Sequence, residues 1–327
     1  MMLRRIALYA GLLVLLAVLA GLSLIAGRVW VPLSAWNVAS SDPRWAIIAD
    51  LRVPRTILGM LIGAALGLSG AALQGYTRNP LADPGVLGVS AMAALGAVLT
   101  LYYGATLASI WVLPGAAMLG ALIGVALLLL LSGSRSSLVT FVLAGAILNI
   151  VASAGISLAL SLAPSPWAVG EIVDWLMGSL QDRSVDEVWL AAPFILAGTA
   201  LLLTTGRALD ALTLGEAGAR SLGISLRRTR WTLALGVGLA TGAAVAVSGV
   251  IGFVGLVVPH ILRPLVGARP GALLAPSALG GAVLVLAADI LVRVTPAAGE
   301  VKLGVAMAAL GGPFFLALLL TLRRRIA

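Results

Sequence analysis

Of the 327 residues, 61% are hydrophobic and only 10% are charged, whereas soluble globular domains carry roughly 25% charged residues. The net charge of +9 comes from basic residues that cluster at the ends of apolar runs, where membrane orientation explains them better than a nucleic-acid partner does. Cysteine is absent and histidine occurs once, which excludes disulfides, thiolate metal sites and a cysteine nucleophile. We therefore expect an integral membrane protein that is not an enzyme and has no catalytic residues, no metal site and no nucleic-acid partner.

The first apolar run follows Arg4 and Arg5, as the core of a secretory signal does. Its length is nearer the roughly 20 residues of a spanning helix, so we expect an uncleaved first transmembrane helix near Ala7–Gly27. Nine further runs predict helices at 56–75, 86–103, 111–131, 138–162, 189–206, 231–250, 256–266, 273–291 and 303–322. The run at 256–266 is short and contains Pro259 and Pro264, which predicts a broken or partly re-entrant helix shielded by its neighbours. These patterns indicate an all-α integral membrane protein of about ten transmembrane helices in a single domain, residues 1–327.

The basic residues are distributed unevenly between the two sides of this arrangement. With the N-terminus inside, the connections on the cytoplasmic side carry most of them, and most acidic residues lie outside. The cytoplasmic set is Arg4, Arg5, Arg78, Arg135, Arg207, Arg220, Arg227, Arg228, Arg230, Arg263, Arg269, Arg323, Arg324 and Arg325. The positive-inside rule therefore predicts a multi-pass protein of the inner (plasma) membrane, in contact with lipid, with both termini cytoplasmic.

Three arginines lie on the outer side, against this bias: Arg52, Arg55 and Arg293. As exposed cations they could attract an acidic soluble partner by electrostatic steering. Alternatively, they are snorkelling or ion-paired arginines, and Arg293 has a potential partner in Asp289, four residues earlier. Both interpretations stay open from the residues alone.

The second helix and the connection that follows it carry two local signals. Gly59, Gly63 and Gly67 repeat every four residues, which predicts close packing against another helix. The connection at 74–85 contains two prolines and an Asn-Pro step, which favour a rigid turn. From this pattern alone it is an ordinary turn.

A polar stretch, Leu214–Ser225, interrupts two apolar runs and cannot lie in hydrocarbon. Glu216 precedes Arg220 by four residues, the favourable order for a helical ion pair, and Leu214, Ala217 and Leu222 could share an apolar stripe. We expect a short surface helix, which either receives a soluble partner or is merely solvated. The chain has no Gly-rich phosphate loop ending in Lys-Ser/Thr, so any ATP must be hydrolysed by another chain.

One acid and the single histidine lie within predicted spans. Asp289 is the acid placed in a span and His260 is the single histidine, and ionisable groups in membranes are functional suspects by default. Both lie near helix ends, whereas ion-coupled transporters hold several such groups near mid-membrane. A proton relay is therefore disfavoured, and we expect His260 to be a structural hydrogen-bonding residue.

Several motifs, in order along nearly the whole chain, resemble those of one known family. They are LRVPR at 51–55, GAALGLSG at 63–70, Gln74, NPLADPGVLG at 79–88, LAG at 143–145, WLMGSL at 175–180, LGEAGARSLG at 214–223, SGVIGFVGLVVPH at 248–260 and GPFF at 312–315. In this set the chain resembles the permease subunit of type II ABC importers, which import iron siderophores, haem and cobalamin.

The resemblance implies ten helices per subunit, a second permease subunit, expected to be an identical copy, two cytoplasmic ATPases and an external substrate-binding protein. It implies no cofactor on this chain, with ATP and Mg²⁺ on the ATPases. A coupling helix within 213–225 would seat in the ATPase. The residues it would use are Leu214, Gly215, Glu216, Ala217, Arg220, Leu222 and Gly223.

The resemblance also implies roles at the two membrane faces. Arg52, Arg55 and Arg293 match positions that meet acidic residues of the binding protein, and Asn79 and Leu81 match the cytoplasmic gate. The start of the fifth helix also lines that gate in the family, often with small hydroxyl residues. Here Leu138 and Val139 align there, after Ser136 and Ser137, so no gate residues are assigned at that point.

The implied function is ATP-driven import of an iron chelate, haem or cobalamin by alternating access. The sequence does not separate these substrates. An ion-coupled secondary transporter is the alternative, and it would need intramembrane carboxylates and repeated halves with broken helices. A polytopic membrane enzyme would need clustered His, Asp or Glu at one membrane face.

Overall fold

A computed structural model describes residues 2–27, 30–31, 43–133, 138–267, 269–295 and 301–326. Arg135, Ser136 and Ser137, which entered the sequence interpretation, lie outside this described part. The α-helices are α1 Met2–Ile25, α2 Pro43–Ala46, α3 Val53–Thr77, α4 Val89–Tyr102, α5 Val112–Ser132, α6 Leu138–Ser161, α7 Pro166–Leu176, α8 Val185–Leu203, α9 Gly206–Leu212, α10 Gly215–Ser221, α11 Leu226–Ser248, α12 Val254–Val266, α13 Pro270–Val294 and α14 Leu303–Ile326. A π-helical turn, Ile47–Arg52, precedes α3 without a break, and a 3₁₀ turn, Pro84–Leu87, precedes α4.

The ten predicted helices are all found, as α1, α3, α4, α5, α6, α8, α11, α12, α13 and α14. Within the described residues, seven helices are long and apolar enough to cross a membrane, and α4, α12 and the described apolar part of α14 are shorter. At 1.5 Å per residue, the 14 residues of α4 extend about 21 Å, less than the roughly 30 Å of hydrocarbon. The prediction of an all-α integral membrane protein is confirmed.

Several predicted helix boundaries were wrong, and two short helices in the connections between spans were not predicted. The helix predicted to begin at Val86 begins at Val89, because Gly88 has a φ of 73° that ends the preceding 3₁₀ turn. The amphipathic helix α7 was not predicted, since its 11 residues are too few for a span. Neither was α9, a helix of seven residues that follows α8.

Glycine at the contact allows α3 and α13 to pack closely. A side chain on Gly63 would overlap the carbonyl oxygen of Gly281, and one on Gly67 would overlap the carbonyl oxygen of Ser277. Backbone at this separation leaves no room for a Cβ atom, which is the reason for the glycine repeat in α3. The predicted close packing is confirmed.

The helices differ in how much of their surface lies inside the protein. In α3 and α11, 78% of the most apolar 18-residue stretch is buried, whereas the value is 28% in α6, 22% in α8 and 6% in α1. Helices α3 and α11 therefore form the centre of the bundle. Helix α6 directs apolar side chains outward, including Val139 at 64% and Leu143 at 56% exposure.

The short helix α12 contains Pro259 and Pro264 without a break, so the prediction of a helix broken at these prolines was wrong. The residue before the helix, Phe253, has a φ of 67°. Proline has no N–H to donate to the carbonyl group four residues earlier. In α12 the Nε2 atom of Gln74 donates to that carbonyl of Gly255, at 3.2 Å. A side chain of α3 thus replaces the hydrogen bond that Pro259 removes.

Arginines mark one end of the bundle, here called the basic end. They lie at the C-terminus of α3, along α9 and α10, at the N-terminus of α11 and before α13: Arg78, Arg207, Arg220, Arg227, Arg228 and Arg269. The other end, called the opposite end, contains the C-termini of α1 and α13 and the N-terminus of α3.

Candidate functional site

The polar stretch 214–225 folds at the basic end as the expected short surface helix. Helix α10 begins after Leu214 and contains the predicted ion pair, in which Nη2 of Arg220 lies 3.2 Å from Oε2 of Glu216. Ala219 is fully buried and anchors the helix, whereas Leu214 and Leu222 are 68% and 61% exposed. One face of α10 is therefore packed against the protein through Ala219, while Leu214 and Leu222 present an apolar surface that no other described residue covers.

Positive φ values delimit this segment. Gly215 has a φ of 85° and Gly223 a φ of 79°, both in the left-handed region that glycine adopts most easily. Beyond Gly223 the side chain of Ser225 accepts a hydrogen bond from the amide of Arg228 and caps α11. The chain thus turns sharply into and out of α10.

Glu216 contacts a second helix as well as Arg220. Its Oε1 atom accepts a hydrogen bond from the backbone amide of Leu138, the first residue of α6, at 3.3 Å. The side chain is 29% exposed, so the carboxylate lies mainly between α10 and α6. A carboxylate at a helix N-terminus satisfies an unpaired amide and interacts favourably with the helix dipole.

A small polar contact zone surrounds Glu216 at the same end of α6. The guanidinium group of Arg230, which is buried in α11, donates to the hydroxyl oxygen of Tyr76 at 3.2 Å and to the carbonyl oxygen of Gly133 at 3.1 Å. The ring of Tyr76 packs edge-on against Phe141 in α6, with centroids 5.5 Å apart. Helices α3, α6, α10 and α11 therefore meet at one point.

Beside this contact zone, a groove of about 290 Å³ lies between α6 and the connection that follows α3. It brings together Asn79 and Leu81, the two predicted gate residues. The rest of its lining is largely apolar and comes from both sides: Leu73, Thr77, Ala82, Asp83, Val86, Leu87, Leu138, Val139, Val142 and Leu143. Leu138 and Val139, to which no gate role was assigned, thus line the same groove.

The connection that carries Asn79 and Leu81 is held by its own side chains. The Oδ1 atom of Asn79 accepts a hydrogen bond from the amide of Leu81 at 2.9 Å, and Oδ1 of Asp83 accepts one from the amide of Gly85 at 2.9 Å. Burial raises the pKa of the Asp83 carboxyl, and the hydrogen bond from Gly85 offsets part of this rise. Asx turns of this kind fix the backbone of the connection, so the predicted rigid turn is confirmed.

At the opposite end, the three outer arginines are buried, so the expectation of exposed cations was wrong for this chain. Arg52, Arg55 and Arg293 are 7%, 9% and 6% exposed. Arg55 donates to Asp289 from Nε at 3.0 Å and from Nη2 at 2.9 Å, and Arg293 lies 3.1 Å from the other carboxylate oxygen. The alternative, ion-paired arginines, is confirmed for Arg55 and Arg293.

The same cluster joins α3 and α13 to the end of α1. Arg293 donates to the carbonyl oxygen of Ser23 at 2.9 Å and to its hydroxyl group at 2.6 Å. Arg52 donates to the carbonyl oxygen of Leu24 at 2.8 Å. The guanidinium groups of Arg55 and Arg293 share the fully buried carboxylate of Asp289.

His260 and Asp289 do not form a relay. Asp289 lies in the arginine cluster at the opposite end, whereas the ring of His260 packs edge-on against Phe314, with centroids 5.8 Å apart. Among the described residues, no three His, Asp or Glu side chains gather in a group that could hold a metal ion. The buried carboxylate is neutralised by arginines, which disfavours a proton-carrying role.

The family model described as the FecCD transport family matches residues 13–321. The hemin transport system permease HmuU of Yersinia pestis is 38% identical over 96% of this chain and 95% of its own length. The vitamin B12 import permease BtuC of Vibrio cholerae is 39% identical over 90% of this chain and 88% of its own length.

Among solved structures, a metal-chelate type ABC transporter in an inward-facing conformation superimposes with a TM-score of 0.87. It is 32% identical, and the match covers 96% of this chain and 99% of that one. The fold, the ordered motifs and these relatives agree. The chain belongs to the FecCD transport family and is an integral membrane permease subunit of the type II ABC importer class, for substrates of the iron chelate, haem and cobalamin type.

Proposed function

We propose that this permease moves an iron chelate, haem or cobalamin from an external binding protein into the cytoplasm by alternating access. The basic end is then the cytoplasmic face, both termini lie in the cytoplasm, and the protein resides in the inner (plasma) membrane. Two copies of the chain enclose the path and two ATPase subunits bind ATP and Mg²⁺. This chain carries no cofactor and breaks no covalent bond.

The observation that carries this proposal is the position of the Glu216 carboxylate. It lies in the exposed helix α10 and reaches the first amide of α6, the helix that lines the groove with Asn79 and Leu81. A displacement of α10 by a bound ATPase therefore acts directly on the end of α6. The contact supplies a short path from a motor to a gate.

The groove suits a gate for bulky, weakly held cargo. Its lining is mostly apolar and offers few hydrogen-bonding groups, so a polar chelate would not be retained there. The exposed apolar side chains of α6, such as Val139, are suited to face a second permease subunit across the path.

At the opposite end, we assign Arg52, Arg55 and Arg293 to docking of the binding protein, through attraction of its acidic side chains to these guanidinium groups. Because these side chains are buried in the isolated chain, docking acids would have to compete with Asp289 for Arg55 and Arg293. Electrostatic attraction of an acidic partner would then make docking sensitive to salt.

The relatives indicate the class of cargo but not the individual compound. One is named for hemin and another for vitamin B12, and both are large, rigid metal chelates. An ion-coupled secondary transporter is not favoured, because Asp289 is paired with two arginines rather than available to carry a proton.

Co-purification of tagged chain from its native membrane, followed by mass spectrometry, tests the proposal. We expect an ATPase subunit in equal amount, whose turnover in liposomes rises when a loaded binding protein is added. Leu214→Asp with Leu222→Asp should release the ATPase, since both side chains are exposed on the coupling segment. Leu265, near the end of α12, is 56% exposed, so Leu265→Asp is the control variant and should retain the ATPase. A chain that purifies without any ATPase would contradict the proposal.

A further inference from the structure

A second cavity at the basic end, of about 250 Å³, has no part in the function proposed above. It lies among the ends of α3, α12 and α13 and is lined by three arginines, Arg78, Arg263 and Arg269. Gln74 and Thr213 add polar groups to the lining. In contrast to the largely apolar groove at α6, this cavity is strongly basic.

Arg263 is held in place from behind by Gln74. The Nη2 atom of Arg263 donates to Oε1 of Gln74 at 2.6 Å, while the amide nitrogen of Gln74 donates to the carbonyl oxygen of Gly255 at 3.2 Å. That carbonyl lacks its usual helical donor because Pro259 occupies the position four residues later. The proline in α12 therefore fixes Gln74, and Gln74 in turn fixes the guanidinium group.

The Nε atom of Arg263 is buried and has no hydrogen-bond partner among the described residues. A buried charged donor without a partner is unfavourable. A guanidinium group binds phosphate oxygens well because its donors form a planar fork. The cavity is thus lined by a guanidinium group that Gln74 holds in one orientation.

The nearby acid does not neutralise the lining. Asp210 accepts a hydrogen bond from the amide of Gly271 at 2.8 Å and lies 3.3 Å from Nη2 of Arg269. Its carboxylate is therefore engaged by the start of α13 and by Arg269, whose side chain is 71% exposed. Within the described residues, Arg78 and Arg263 form no ion pair with an acid, so the cavity keeps a positive charge.

We propose that this cavity binds a phosphate group, with Arg263 as the oriented donor and Arg78 and Arg269 as charges at its rim. Two sources share this chemistry: the headgroup of an anionic phospholipid in the leaflet at the basic end, and free phosphate. Basic pockets between transmembrane helices on the cytoplasmic side are suited to lipid headgroups. A bound headgroup would tie α3, α12 and α13 together beside the coupling segment.

Native mass spectrometry of the delipidated permease–ATPase complex tests this proposal, with phosphatidylglycerol, phosphatidylcholine and inorganic phosphate as separate probes. We expect phosphatidylglycerol to bind at least about 5-fold more tightly than phosphatidylcholine. Arg78→Gln and Arg263→Gln should each reduce this preference about 5-fold, because one arginine near the membrane surface strengthens the binding of an anionic lipid by roughly that factor. Arg227→Gln, an exposed arginine at the same end outside the cavity, is the matched control and should leave it unchanged.

The probes distinguish the two sources. Competition by millimolar inorganic phosphate, lost in Arg263→Gln, would assign the site to free phosphate, and binding of phosphatidylglycerol without such competition would assign it to lipid. Equal binding of both lipids together with no phosphate binding, or equal losses in Arg227→Gln and Arg78→Gln, would overturn the proposal. Arg78 is exposed, so its variant stays informative even where Arg263→Gln does not fold. Co-purification of the ATPase is unaffected by these outcomes and tests the proposed function separately.

Discussion

Replacing Glu216 by alanine removes the carboxylate that joins α10 to the start of α6. The hydrogen bond to Leu138 is 3.3 Å long and acts as a helix cap, whose loss typically costs about 1 kcal/mol. The charge at the helix N-terminus adds roughly 0.3–1 kcal/mol. The pair with Arg220, whose side chain is 64% exposed, contributes only about 0.3–0.5 kcal/mol after solvent screening.

We therefore expect Glu216→Ala to weaken the link between α10 and α6 by about 1–2 kcal/mol, a factor of roughly 5–30 in its equilibrium. The ATPase should stay attached, because Leu214 and Leu222 remain on the surface of the segment. The assay is cargo transported per ATP hydrolysed in liposomes, which should fall while ATP turnover persists.

Two variants separate the contacts of Glu216. Arg220→Ala removes the exposed ion pair alone and should lower transport per ATP less than about 2-fold. Glu216→Gln keeps an acceptor for the Leu138 amide without the charge, and should lie between alanine and the native chain. Unchanged transport per ATP in Glu216→Ala, or release of the ATPase by that variant, would refute the assignment of Glu216 as a link between the two helices.

Three further predictions concern packing, the buried arginine cluster and the gate. Gly63→Ala should lower the melting temperature in detergent, because its methyl group overlaps backbone of α13, whereas Gly115→Ala, which meets no atom within 4 Å, should not. Asp289→Asn should cost about 3–5 kcal/mol of stability, because it removes the carboxylate charge that two buried arginines share, and adding Arg55→Gln should recover part of the loss. An unchanged melting temperature would contradict this. Because the chain has no cysteine, Leu81→Cys can be labelled alone, and its reactivity should change between the ATP-bound and nucleotide-free transporter if the groove is a gate; equal labelling in both states would contradict it.

Hydropathy predicted the ten apolar helices because a bilayer requires about 20 apolar residues per span. The same criterion could not find α7 and α9, whose 11 and seven residues have no such requirement. It also placed the start of α4 too early, since Pro84–Leu87 is apolar but forms a 3₁₀ turn. Length and composition therefore indicate spans, whereas turn geometry decides where each one begins.

Whether a contact in the candidate site could be predicted depended on how far apart its two residues lie in the sequence. The Glu216–Arg220 and Asp289–Arg293 pairs are four residues apart on one helix and were predicted from spacing. The contact between Arg55 and Asp289 joins residues 234 apart, which no local pattern can reveal.

The contact between Leu138 and Glu216 joins residues 78 apart and depends on how α6 and α10 are placed by the rest of the bundle. The role of Gln74 was likewise hidden, although Pro259 leaves a carbonyl in need of a donor. An apolar residue in the first turn of a helix, such as Val139, gives no local sign that it lines a groove.

The central claim is that ATP hydrolysis on a partner chain drives import through this permease. Uptake of radiolabelled ferric siderophore, haem or cobalamin is measured in liposomes that contain the permease and its ATPase, with the binding protein outside and ATP inside. The account predicts uptake of one such chelate that requires both ATP and the binding protein and is insensitive to collapse of the proton gradient. Uptake that proceeds without the ATPase and stops when the proton gradient is collapsed would contradict it.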